Sequence, residues 1–303
     1  MKNKTALLLL AAVCGTVSAD IATDSWAKDL KAWRDQRAQK LTAAEGWMSL
    51  TGLEPIDEGS NPFGGAADNT VHLKGVVPAH LGVLKRHGQE IRLSPPPGGF
   101  PPELQLDGKP PQPQVLNADD TPQPTRMTAG TLVFFVIHRS DRFYLRVKDA
   151  HSPTITSFQH LNWYAPDPAF RIHATWTPYT PPKSIAVASI IGTQDQMPVP
   201  GVATFTLGGK SYQLEPVLED PGATDLFFIL HDTTSPKTSY GASRFLYTAF
   251  PSNGLDKPGD LEMDFNRLQN PPCAYTEYAT CPLPPKQNRL QVALPVGEKK
   301  YHD

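Results

Sequence analysis

The sequence predicts a mainly β protein with one N-terminal helix, a first β-sandwich, and then a second antiparallel sandwich or barrel. Three observations lead there. Proline makes up 32 of 303 residues, about twice the usual ~5%, and its spread through the chain works against long internal helices. Beyond residue 46, apolar residues recur in short runs at strand spacing, bounded by Gly, Asn, Asp and Pro. Only residues 24–40 show helical spacing over several turns.

The first element is a leader. "MKNKTALLLLAAVCGTVSAD" has two lysines, an apolar run from Ala6 to Val13, and small residues at Val17 and Ala19. This is the pattern of a signal peptide over residues 1–19, cleaved after Ala19. The run is shorter than the ~20 residues that span a bilayer. Val13 stands where a bacterial lipobox wants a small residue before its cysteine, which argues against lipid anchoring through Cys14. The expected location is therefore periplasmic or secreted, with no transmembrane segment in the mature chain. Removing residues 1–19 takes away two lysines and no acid, leaving 26 basic against 30 acidic side chains, a net charge of −4. No basic field is present to hold nucleic acid.

A helical segment over residues 20–46 follows. In "DSWAKDLKAWRDQRAQK", Asp24 or Ser25 caps the helix, and Trp26, Leu30, Trp33 and Ala38 form one stripe. Residues 47–150 form the first sandwich. "WMSLTGLEPI", "NTVHL", "LGVLKR", "EIRL", "ELQL" and "TLVFFVIHRSDRFYLRVKD" read as strands, with turns at His87-Gly88, Asp107-Gly108 and Ser140-Asp141. Residues 94–125 hold ten prolines in 32 positions. Strand-like pieces inside that run favour loops of one sandwich over an interdomain linker. Residues 151–303 form the second β domain. Its strands are "RIHATWTPY", "SIAVASII", "VATFTLGGKSYQLEPVL" with a Gly208-Gly209 turn, "DLFFILHD", "RFLYTAF" and "LEMDFNRL".

The order of pieces over residues 47–150, with its "G-S-N-P-F-G" turn, "N-T-V-H-L" strand and "D-G-K" turn, resembles a forkhead-associated sandwich. The resemblance implies a shape only. Phe63-Gly64 and His80-Leu81-Gly82 stand where that family places its phosphothreonine-reading arginine and serine.

A second resemblance covers more of the chain. The phrases "GWMSLTGLEPIDEGSNPFG", "YGASRFLY" and "DFNRLQNPPCAYTEYATCPLPPKQNRL" are similar to a family of bacterial and archaeal proteins catalogued as domain of unknown function 1684. The likeness runs from about Trp33 to Leu294. It marks residues 264–290 as a signature loop, with Glu277 in place of a proline in the family pattern. It implies no activity.

The signature loop holds the two cysteines of the mature chain, Cys273 and Cys281. An even cysteine number in an exported chain is the pattern of a disulfide. Such a staple contributes about 2–3 kcal/mol. A redox pair usually has closer spacing. A zinc site would need His151, His160, His173 or His231 as further ligands, and no spacing supports one. A Cys273 nucleophile would need a distant histidine. These alternatives remain open in the sequence.

"DFNRLQN" places Asp264, Asn266, Arg267 and Asn270 within seven positions. The bland reading is loop capping and a surface ion pair. The functional reading is a polar pocket in which Arg267 forks onto an anion. "HDTTSPKTSYGASRF" adds His231, Tyr240 and Arg244. A Ser-His-Asp set drawn from Ser243, His231 and Asp264 lacks the G-x-S-x-G elbow. "SFQHLNWYAPDPAFRIHATW" offers aromatics for a flat ligand, although sandwich cores use the same residues. No phosphate-binding glycine loop, zinc-protease helix or EF-hand loop is present. No cofactor or metal is expected.

The function expected from these residues is a non-catalytic binding module for a small or envelope-derived ligand. Its pocket takes Arg244, Asp264, Asn266, Arg267 and Asn270, with Tyr240 and Tyr275 as walls. The alternative is a hydrolase using His231 or Asp264 as base and Arg267 as anion clamp. The sequence does not decide whether the protein is an enzyme.

Overall fold

The computed structural model describes residues 15–75 and 77–302, with side chains from Asp24 onward. Cys14 and most of the expected leader lie outside the described residues. Helix α1 spans Gly15–Thr42. Nothing between its ends interrupts it, since no further glycine and no proline occurs there. Asp24 and Ser25 consequently stand inside the helix rather than capping it. Trp26, Leu30 and Leu41 are buried, and Trp33 and Ala38 are half-buried, so the apolar stripe faces the body. That body is the C-terminal half. Trp26 Nε1 donates to Asp264 Oδ2 at 2.8 Å, and the Trp33 ring meets Trp163 edge to face at 5.6 Å.

Strands then follow in the order β1 (Leu50–Pro55), β2 (Gly59–Gly64), β3 (Val71–His72), β4 (Gly82–His87) and β5 (Glu90–Ser94). Next come β6 (Gln105–Leu106), β7 (Gln114–Val115), β8 (Met127–Ala129), β9 (Leu132–Arg139) and β10 (Arg142–Asp149). They form two five-stranded sheets, β1-β10-β9-β8-β6 and β3-β2-β4-β5-β7. All pairs described are antiparallel except β2–β3. The inner faces share one core, with Phe63, Leu84 and Leu93 meeting Phe134, Leu145 and Val147. The proline-rich run lends β6 to one sheet and β7 to the other. The Asp107-Gly108 turn has both residues left-handed, at φ 49° and 74°, the backbone a two-residue hairpin turn requires.

After the short helix α2 (Pro153–Thr156), the second region holds β11 (Arg171–Ala188), β12 (Gln194–Leu207), β13 (Lys210–Leu214), β14 (Asp225–Leu230), β15 (Arg244–Ala249) and β16 (Gly259–Asp264). These make a four-stranded sheet, β13-β12-β11-β16, and a two-stranded sheet, β14-β15. The two strands expected from "RIHATWTPY" and "SIAVASII" are one. The register against β12 shifts between Pro178 and Lys183, where Pro181 and Pro182 have no N–H to give, yet the chain stays extended. Trp176, Phe205, Phe228 and Phe265 centre the core here. Leu50 of β1 inserts among Val187, Phe227 and Phe245, which ties the two β regions together. Among the described residues no helix is long and apolar enough to cross a membrane.

Candidate functional site

Cys273 and Cys281 form a disulfide with Cα atoms 6.2 Å apart, inside the usual range. It closes the signature loop, and the loop in turn holds the β11–β12 hairpin tip. Ile190 N donates to Cys281 O at 2.9 Å, and Leu283 N donates to Ala188 O at 2.7 Å. Ser189 and Thr193 cross the tip through their hydroxyls at 2.7 Å. The staple thus fixes two walls at once.

Those walls bound a cavity of about 780 Å³. Its lining comes from segments far apart in sequence: Arg37 of α1, Trp47 before β1, His138 and Arg139 at the end of β9, the 187–198 hairpin, Phe245 and Tyr247 of β15, and Thr280–Pro282. Most of the wall is apolar, including Val187, Met197, Leu218, Phe227 and Phe245. Trp47 is 42% exposed and Tyr247 38% exposed, two of the four large hydrophobic side chains left exposed among the described residues. A second hollow of about 520 Å³ adjoins it and shares Arg37, Trp47, Tyr247 and Gln269.

The residues expected to form the site are mostly engaged elsewhere. Arg244 is fully buried. Its Nη1 donates to Asp232 Oδ2 and to Leu294 O, both at 2.8 Å. Its Nη2 donates to Val296 O and, at 3.4 Å, to Glu298 O. Arg244 therefore pins the C-terminal segment. The segment passes close: a Cβ on Gly297, whose φ is +78°, would stand 2.5 Å from Leu268 O. Asp264 accepts from Trp26 and, through Oδ1, from Asn266 N and Nδ2 at 3.0 and 2.9 Å. Asn266 also exchanges hydrogen bonds with the backbone of Asp167 at 2.8 and 2.9 Å. Arg267 lies 3.7 Å from Asp264 and over the Trp33 ring. Tyr240 OH donates to Cys273 O at 3.1 Å. Ser243 is buried and donates to Pro282 O at 3.4 Å. Burial, with the charge of Arg289 adding, pushes the His231 imidazole below its ordinary range. Neither His231 nor Asp264 lines the cavity.

Asn270 does line it. Its Nδ2 donates to Lys299 O at 2.7 Å, its backbone N–H donates to Glu298 Oε2 at 3.0 Å, and its Oδ1 is buried without a partner. Tyr275 sits behind it and donates to Glu298 Oε1. Arg37 completes the set, with Nε 3.1 Å from Glu298 Oε2 and Nη2 2.7 Å from Asn270 O. Burial, then the Glu298 charge, holds the Tyr275 phenol well above its ordinary range. Burial disfavours the Arg37 charge, but Glu298 and Tyr275 outweigh it and raise its pKa.

Sequence reasoning missed the other end of the cavity. Arg146 of β10 is 4% exposed. Its Nη2 donates to Thr280 Oγ1 at 3.2 Å, its Nε is buried without an acceptor, and its guanidinium lies 5.7 Å from the Trp47 ring centroid. Burial, with repulsion from Arg139, lowers its pKa to about 10, so it stays charged at neutral pH. The only sequence signal was a basic residue in "FYLRVKD", which reads as the solvent face of a strand. Among the described residues no group of three or more His, Cys, Asp or Glu side chains stands ready to hold a metal ion.

Residues 156–299 of the chain match the family described as protein of unknown function (DUF1684). The matched segment is narrower than the likeness expected from Trp33 onward. It contains the signature loop and the hairpin but not α1 or the first sandwich. No curated protein matches the chain. Among solved structures, an uncharacterised protein of Haloarcula marismortui, determined by solution NMR, is similar at 28% identity. The similarity covers 48% of this chain and 78% of that one, with a TM-score of 0.41.

Proposed function

We propose that this chain, a DUF1684 family member over residues 156–299, is an exported, non-catalytic module that binds a small or envelope-derived molecule. The observation that carries the reading is the cavity of about 780 Å³ between the two β regions. Ligand sites favour such junctions, with mostly apolar walls and a few placed polar groups. The disulfide supports it by fixing the loop and hairpin that form two of the walls, a use suited to the oxidising compartment that the leader implies. The first sandwich supplies Trp47, His138 and Arg139. Its forkhead-associated likeness enters this proposal as a shape, not as phosphopeptide recognition. No reaction is assigned, because the two candidate bases stand away from the cavity lining.

The test uses Gln269→Trp. Gln269 lines both hollows, so an indole there obstructs the space between them. Wild type purified from the exported fraction should carry a noncovalent small molecule in native mass spectrometry, released on denaturation. The variant should lack that mass while keeping the wild-type circular dichroism spectrum. The reading falls if wild type carries no such mass and no fraction of an envelope extract raises its Tm above that of the variant.

A further inference from the structure

The electrostatics of the cavity point further, on the premise that the cavity is the binding site. A buried charge is ordinarily paired. Arg146 is not: among the described residues no carboxylate reaches ion-pair distance of it. Asp119, whose charge Arg146 senses, gives both oxygens to Arg139, at 2.9 and 2.7 Å. The one protein acceptor found for Arg146 is the Thr280 hydroxyl. Thr280 and the Trp47 ring beside it both line the cavity, so the guanidinium stands directly behind that wall. The acids that line the cavity, Asp195, Glu219 and Asp220, are half-buried or exposed. The buried end is therefore cationic, and the rest of the wall is largely apolar. We propose that the ligand is an apolar molecule with one acidic head, and that Arg146, with Thr280, receives that head.

Three probes of equal chain length separate the possibilities: octanoate, octanol and octylammonium, each titrated into the full mature protein by calorimetry. Octanoate should bind at least about tenfold more tightly than octanol, the effect of a hydrogen bond to a charged group. In Arg146→Met that advantage should vanish while octanol binding is unchanged, which also shows that the variant is folded. Equal binding of octanoate and octanol to wild type would leave the cavity reading standing and overturn the acidic head. Preference for octylammonium would do the same. Octanoate preference surviving in Arg146→Met would overturn the role of Arg146. Binding of none of the three would overturn the acidic-head ligand class, and the cavity reading would then stand or fall on Gln269→Trp.

Discussion

Two buried arginines, one in each β region, are held in opposite ways. Arg244 on β15 has one carboxylate and three backbone carbonyls around its terminal nitrogens. Arg146 on β10 has one hydroxyl. Both are desolvated, and both keep an Nε without an acceptor. The difference lies in what the fold supplies to the other donors. Where the chain brings its own acceptors, the arginine is a pin, and here it anchors residues 294–298. Where the chain leaves donors short beside a cavity, the charge is available to something else. Residue type and burial alone do not separate a structural arginine from a functional one. The inventory of acceptors does.

The largest effect that sharpens this contrast is expected from Arg244→Met. It leaves Asp232 fully buried without its cation, so urea unfolding should show a loss of about 3–5 kcal/mol. A loss under about 1 kcal/mol would erase the distinction. Next is the paired change Cys273→Ala with Cys281→Ala. Opening that loop should cost about 2–3 kcal/mol, and it should weaken ligand binding further by freeing Thr280 and the hairpin tip. Wild type in reductant should match the variant.

A third prediction concerns alkaline pH. The folded state holds the Tyr275 proton more tightly than the unfolded chain does. Above about pH 10 the unfolded chain loses that proton first. It then binds fewer protons than the folded state, so stability falls as pH rises, by up to about 1.4 kcal/mol per pH unit for one group. Tyr275→Phe should make this alkaline decline shallower in unfolding curves taken between about pH 9 and 11. An unchanged slope would place the phenol outside the coupled set with Glu298 and Arg37. The smallest change in stability is expected from Arg146→Met. Replacing an underpaired buried charge with an apolar side chain should leave stability within about 1 kcal/mol of wild type or raise it. A loss as large as that of Arg244→Met would collapse the comparison from its other side.

Much of the fold was legible because its causes are local. The turn at Asp107-Gly108 needs two left-handed residues, and the sequence offers Asp and Gly there. The segment "FYLRVKD" read as a strand, and its alternating Phe143, Leu145 and Val147 lie in one core. The helix over residues 24–40 was visible, but not its continuation to Gly15, since the cap-like Asp24-Ser25 pair carried weight that an uninterrupted chain did not require. The candidate site was far less legible. Asp264, Asn266 and Arg267 looked like a pocket because they are polar and close in sequence. Their partners, Trp26 and the Asp167 backbone, lie 238 and 99 residues away.

The sequence by itself determined the strand-rich fold, the positions of its turns and the pair of cysteines able to staple the signature loop. These depend on backbone preferences and spacings of a few residues. Only the tertiary structure decided which face of which sheet stayed dry. By its alternation Arg146 belongs to a strand's solvent face. It is buried because a loop 134 residues further along, carrying Thr280, closes over that face. Burial of that kind is set by which distant segments pack together, and no local pattern in the chain encodes it.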